Sequence, residues 1–177
     1  LFHFLLALGA ILVLNYHDCM AIAHKQFVFD VSNLLRSFGT GANAISRIGD
    51  TGIYLGPIPF NAHRHELQGL VGVVLAIVES WELNGTRFSQ TVKPAQWKAD
   101  GVDFHHVSAV DHEALSDSQL SEALDLLRDA LDTGRTVYVH CKAGKGRSAS
   151  VVIAYIILEH HVSFVAAEAY VLSLIHI

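Results

Sequence analysis

Three contrasting segments follow one another directly between residues 137 and 158. Residues 137–139 (Val-Tyr-Val) have the composition of a short buried strand, and a loop containing Gly144 and Gly146 comes next. Residues 151–158 (VVIAYIIL) are apolar on every side, which is typical of a central buried helix. A strand that enters a glycine loop and leaves it as a buried helix predicts one unit of a parallel α/β sheet.

The rest of the chain continues this alternation. Residues 70–78 (LVGVVLAIV) are long enough for a buried helix, but their valine and isoleucine content favours a strand covered on both faces. Further strands are predicted at 54–57 and 104–110, and helices at 116–133 and from about Ser163 to Val171. The predicted fold class is α/β: a central, mostly parallel sheet flanked by helices.

Composition limits the function classes. The chain has 177 residues, a formal net charge of −5, 51% hydrophobic residues and only 16% charged residues, against about 25% in typical domains. This argues against a disordered tail and against a nucleic-acid partner, which would need a basic field. The two cysteines, Cys19 and Cys141, are too few for a disulfide-stapled scaffold.

The two ends of the chain differ from its middle. Residues 1–23 contain no Lys or Arg and are mostly apolar, which predicts a membrane anchor or a targeting segment whose front is missing. A buried core helix is the alternative. A linker is predicted at 24–47 and the main domain at 48–171, with its C-terminal helix cut short. Residues 172–177 (LSLIHI) resemble a translated sequencing adapter, so we expect a non-native tail.

The glycine loop has the composition of an oxyanion site. Amides of residues 142–147 at the start of a helix can point into one concavity, where unpaired N–H groups and the helix dipole favour negative charge. Cys141 at its mouth should have a lowered thiol pKa. The planar fork of Arg147 can hold two phosphate oxygens. A thiolate beside an anion cradle is suited to attack on a phosphate monoester.

The string His140-Cys141-Lys142-Ala143-Gly144-Lys145-Gly146-Arg147-Ser148 resembles the HCxxGxxR(S/T) signature of the cysteine-dependent protein tyrosine and dual-specificity phosphatases. The resemblance implies that Cys141 forms a phosphocysteine, that Arg147 and the loop amides stabilise the phosphoryl oxygens, and that Ser148 helps the sulfur leave. His140 would orient the loop without acting as a base. The substrate phosphate would be bound between these groups by residues 142–146. Neither a metal nor a cofactor is implied.

The same resemblance requires a general acid on a separate loop. Asp111 follows the predicted strand 104–110 and lies 30 residues before Cys141, where similar enzymes place this residue. Asp103, Glu113 and Asp117 compete with it. However, Asp103 precedes its strand and should lie at the opposite end of the sheet, and Asp117 is suited to capping a helix.

Two phospholipid phosphatases share further features with the chain. Residues 48–171 resemble the mitochondrial phosphatidylglycerophosphate phosphatase family in the segments 53–59, 73–82, 96–102 and 110–111. The lysines of the loop, Lys142 and Lys145, instead resemble those of the tumour-suppressor phosphoinositide 3-phosphatase. Glu79 and Glu82 could line the substrate cleft or be solvated loop charges.

These features predict a membrane-associated phosphatase acting on a phospholipid, with phosphatidylglycerophosphate first, in the mitochondrion or alternatively in the cytoplasm. A phosphatase of phosphorylated protein is the first alternative. A phosphate- or lipid-binding module without turnover is the second.

Overall fold

The computed structural model describes residues 20–34 and 44–175, which fall into two compact units, Leu1–Phe38 and Gly39–Ile177. In the first unit, residues 20–34 are helical (α1). Residues 1–19, which hold most of the predicted anchor and Cys19, lie outside the described residues. No helix within the described ranges is long and apolar enough to span a bilayer.

The second unit contains a five-stranded sheet and six helices among its described residues. The strands are β1 (Ser46–Arg47), β2 (Ile53–Gly56), β3 (Val73–Val78), β4 (Asp103–Ser108) and β5 (Val137–His140). The helices are α2 (Asn61–Leu67), α3 (Ser80–Asn84), α4 (Pro94–Ala99), α5 (Asp117–Asp132), α6 (Arg147–His160) and α7 (Phe164–Leu174).

The sheet order is β1-β2-β5-β3-β4, and only β1 pairs in an antiparallel direction. Val73 of β3 is level with Val137 of β5 and with Asp103 of β4. This arrangement confirms the predicted mostly parallel α/β fold. The alternation of side chains along β3 explains the burial of both faces: Val73, Leu75 and Ile77 enter one core cluster, and Val74 enters the other.

Helices cover both faces of this sheet. On one face, α5, α6 and α7 enclose the larger core, into which Leu124 and Leu127 of α5 project. On the other face, Trp97 of α4 packs with Tyr138 and Val74. The predicted start of α5 is reproduced, because the Ser116 hydroxyl caps the helix by accepting from the amide of Gln119.

Two features differ in detail from the sequence expectations. The stretch predicted as a linker contains regular structure, namely residues 24–34 of α1 and strand β1. Helix α7 continues to Leu174, three residues beyond its expected end near Val171. Apolar residues continue past Val171, so nothing in the local sequence stops the helix there.

The parallel strands bring their carboxyl ends to one edge. The segments that follow β3, β4 and β5 therefore leave the sheet side by side, where sites in such sheets usually form. At the other edge, Arg135 binds the carboxylate of Asp103 at 2.5 Å. Asp103 thus lies at the end opposite Cys141, as the order of the strand and its loop predicts.

Candidate active site

The loop between β5 and α6 surrounds the sulfur of Cys141. The backbone N–H of Gly144 and the hydroxyl of Ser148 donate to Sγ at 3.3 and 3.2 Å. Burial alone raises the pKa of the Cys141 thiol, but the bonds from Ser148 and Gly144, with the charge of Arg147, bring that pKa below its ordinary value. The geometry therefore favours a thiolate at the start of a helix.

Gly144 allows the loop to pack directly on the backbone at the carboxyl end of β2. Its φ of +77° is in the left-handed region, and a Cβ added there would lie 2.6 Å from the carbonyl carbon of Gly56. Nearby, the amide of Ile58 donates to the carbonyl oxygen of Lys142 at 3.2 Å. The loop is thus held against the carboxyl end of β2 by contacts that leave no room for a side chain at position 144.

His140 lies behind the loop and is buried. Its ring stacks on Tyr138 with centroids 5.5 Å apart, and its Nδ1 lies 3.4 Å from the carbonyl oxygen of Cys141. Burial, reinforced by nearby positive groups, lowers the pKa of His140 to about 3. The imidazole is therefore neutral at physiological pH and packs against the loop from inside the domain.

Arg147, the first residue of α6, is held by three acceptor groups. Its Nη1 donates to Glu82 Oε2 and to the carbonyl oxygen of Ala109, both at 2.8 Å. Its Nη2 donates to Glu82 Oε1 at 3.4 Å and to Asp111 Oδ1 at 2.9 Å. The guanidinium is consequently fixed in orientation, and its charge interacts with the thiol of Cys141.

Of the four acidic residues considered as the general acid, Asp111 is the one bonded to the loop. Besides Arg147, it accepts from Lys142 Nζ at 3.2 Å. Partial burial raises the pKa of Asp111, but the charges of Arg147 and Lys142 outweigh this effect and hold the pKa below its ordinary value. Glu113 is exposed, and Asp117 begins α5 as an exposed residue of its first turn.

Glu82 is the site residue whose role the sequence left undecided. It is fully buried, its Oε2 also accepts from the amide of Glu79 at 2.8 Å, and it engages both terminal nitrogens of Arg147. A sequence signal exists, since a Glu three residues after the N-cap residue of a helix is half of a capping box. That signal predicts the bond to the Glu79 amide but not the bond to Arg147, which is 65 residues away.

The two lysines of the loop occupy different environments. The side chain of Lys142 is 12% exposed and points to Asp111, whereas Lys145 is exposed. The sequence analysis predicted that both lysines bind the substrate, but the structure places them in different surroundings.

Among residues 20–34 and 44–175, no cluster of three or more His, Cys, Asp or Glu side chains is arranged to hold a metal ion.

Comparison with protein families decides the membership of the chain. Residues 82–173 match the family described as "Dual specificity phosphatase, catalytic domain". The chain belongs to this family. The prediction made from the His140–Ser148 motif is confirmed, and the protein is a cysteine-based phosphatase with a dual-specificity phosphatase fold.

Individual relatives extend this result. The chain is 32% identical over 158 residues to dual specificity protein phosphatase 26 of Pongo abelii, covering 86% of this chain and 70% of that protein. It is 33% identical to human phosphatidylglycerophosphatase and protein-tyrosine phosphatase 1, and the match covers 72% of this chain and 65% of that protein. The crystal structure of PTPMT1 in complex with PI(5)P is similar at 30% identity with a TM-score of 0.63, covering 75% of this chain and 85% of that one.

The close packing of Gly144 generates a first prediction. Gly144→Ala should displace the loop from Gly56 and lower kcat/KM for p-nitrophenyl phosphate by on the order of 100-fold, because misplacement by about 1 Å has effects of this size. Gly101→Ala is the matched control, since Gly101 has a φ of +75° and nothing within 4 Å of an added Cβ. Equal kinetics for the two variants would contradict the packing argument.

The buried ion pair generates a second prediction. Glu82→Gln should lower the free energy of unfolding by about 3–5 kcal/mol, because it leaves the charge of Arg147 buried without its main partner. Asp103→Asn removes a carboxylate from the solvent-exposed pair with Arg135 and should lower the free energy of unfolding far less than Glu82→Gln does. Urea denaturation measures both, and similar losses would show that Glu82 does not stabilise Arg147.

Proposed function

We propose that the protein hydrolyses a phosphate monoester through a phosphocysteine on Cys141. The observation that carries the proposal is the environment of Sγ, with donors from Gly144 and Ser148 and with Arg147 nearby at the start of α6. The thiolate attacks phosphorus while the ester oxygen leaves. Arg147 and the loop amides stabilise the negative charge on the phosphoryl oxygens.

Asp111 is the proposed general acid and, in the second step, the general base. In the first step it gives a proton to the leaving oxygen, which departs as an alcohol. In the second step it accepts a proton from the water that attacks the phosphocysteine, so that phosphate and the thiolate are released. The hydroxyl of Ser148, 3.2 Å from Sγ, stabilises the departing thiolate.

We further propose a phospholipid head group as the substrate, with phosphatidylglycerophosphate first. Support comes from the relative named phosphatidylglycerophosphatase and protein-tyrosine phosphatase 1 and from the similar structure of PTPMT1 with PI(5)P. The exposed Lys145 adds positive charge at the entrance of the loop, which favours an anionic head group.

The apolar run 1–23 and the family resemblance favour a membrane-associated, mitochondrial protein, with a cytoplasmic location as the alternative.

A phosphorylated protein is the second candidate substrate. It is favoured by the similarity to dual specificity protein phosphatase 26 and by the similarity to the human relative, whose name includes protein-tyrosine phosphatase 1. The chemistry at Cys141 is the same for both substrates. The two candidates differ only in which molecule delivers the phosphate to the loop.

Phosphate release distinguishes these candidates. Vesicles containing phosphatidylglycerophosphate, vesicles containing a phosphoinositide, and a phosphotyrosine peptide are each incubated with the wild-type chain and with Cys141→Ser. We expect a clear preference for phosphatidylglycerophosphate, and a loss on the order of 10⁴-fold or more in the variant because the nucleophile is removed.

Two other results would have different meanings. Preference for the peptide would overturn the lipid proposal and leave a protein phosphatase. Absence of release from all three substrates by a folded wild-type chain would leave a binding module, in which Cys141→Ser changes little.

A further inference from the structure

The terminal nitrogens of Arg147 have no spare hydrogen. Within the described part of the chain, Nη1 donates to Glu82 and the carbonyl oxygen of Ala109, and Nη2 donates to Glu82 and Asp111. Each of these nitrogens carries two hydrogens, so the four bonds engage them all and leave Nε–H. A phosphate bound through two parallel N–H groups must therefore take one hydrogen from a present partner.

Asp111 is the partner of Arg147 that a bound phosphate can displace. Glu82 is fully buried and engages both terminal nitrogens, and the acceptor on Ala109 is a backbone carbonyl inside the domain. Asp111 is 24% exposed and makes a single bond to Arg147. Its second oxygen accepts from Lys142 Nζ at 3.2 Å, a bond that does not involve Arg147.

We propose that Lys142 is a positioning residue for Asp111, which it holds at the mouth of the loop while the substrate phosphate replaces Asp111 on Arg147. This proposal rests on the catalytic roles proposed above for Asp111 and Arg147. It gives Lys142 a role different from the substrate contact predicted from the sequence, and it leaves the exposed Lys145 as the lysine proposed to contact the substrate.

The exchange has a consequence for protonation. In the structure, Asp111 faces Arg147 from α6 and Lys142 from the loop, with His112 3.6 Å away on its own segment. These positive groups favour the carboxylate, which cannot donate a proton. A bound phosphate dianion takes the Arg147 contact and adds negative charge, so Asp111 takes up a proton from solvent. That proton is the one later given to the leaving oxygen.

Proton uptake on anion binding tests the exchange without turnover. Sulfate, which remains a dianion, is titrated into Cys141→Ser by calorimetry in buffers of different ionisation enthalpy. We expect an uptake approaching about one proton per bound sulfate, since binding and protonation are linked. The same titration of Cys141→Ser with Asp111→Asn should show none. Uptake that persists without Asp111 would come from another group and would overturn the exchange, as would absence of uptake in the single variant.

Leaving-group dependence tests the role of Lys142. Nitrophenolate leaves with little help from an acid, whereas phenolate needs protonation. Lys142→Met should lower kcat/KM for phenyl phosphate by about tenfold and for p-nitrophenyl phosphate by less than about twofold, because Asp111 is then poorly placed to donate. Lys98→Met, at an exposed position on α4, should change neither value.

Two further comparisons separate positioning from substrate binding. Loss of the Lys142 charge raises the pKa of Asp111, so the alkaline limb of the kcat–pH profile should move to higher pH in Lys142→Met. Lys145→Met should lower kcat/KM for both aryl phosphates by the same factor and leave that limb in place. Equal losses for both substrates in Lys142→Met would overturn the positioning role.

The substrates of this test are soluble aryl esters, so its outcome does not depend on whether the natural substrate is a lipid. An inactive wild-type chain would overturn the proposed function. The sulfate titration needs no turnover, and it therefore distinguishes that failure from a failure of the exchange between Asp111 and phosphate.

Discussion

The buried ion pair between Arg147 and Glu82 is the interaction on which the site depends. The side chains are 3% and 0% exposed. Removal of Arg147 would leave the Glu82 carboxylate buried with its cationic partner lost, and removal of Glu82 would leave the guanidinium with the partly exposed Asp111 as its carboxylate partner. The pair joins the first residue of α6 to α3, and the bond from Arg147 to the carbonyl oxygen of Ala109 adds the segment after β4. Three segments that are distant in the sequence are thereby fixed around one guanidinium.

The parallel sheet makes this meeting possible. Because β5 lies between β2 and β3, and β4 is next to β3, the segments that carry Cys141, Glu82 and Asp111 leave neighbouring strands at the same edge. On the other side, Gly144 contacts Gly56 at the end of β2. The strand order thus places the nucleophile, its arginine and the proposed acid within one small region, and the ion pair then fixes their orientation.

The sequence could predict features that depend on local order. The strand, glycine loop and helix around Cys141 follow from composition and spacing, and the position of Asp111 after a strand follows from the direction of the sheet. The burial of Glu82 could not be predicted in this way, because it depends on a partner 65 residues away. The contact between Lys142 and Asp111 could not be predicted either, because it joins two segments that are 31 residues apart and depends on where the fold places both of them. The helix at residues 20–34 was not predicted, because its apolar residues follow the apolar run 1–23 without a break that would mark the start of a separate helix.

The two lysines show why counting charges overstates the electrostatic preference of such a loop. Lys142 and Lys145 both add to the sequence charge, yet Lys142 is bonded to the carboxylate of Asp111, which cancels most of its field in the ligand-free protein. Lys145 is exposed, so solvent screens it. A phosphate that displaces Asp111 from Arg147 takes over a charge-assisted hydrogen bond from a guanidinium that is shielded from solvent, although Glu82 still offsets part of its charge. Affinity for the reacting phosphate therefore comes from Arg147 and the loop amides, and a preference for a second anionic group on the substrate depends mainly on Lys145.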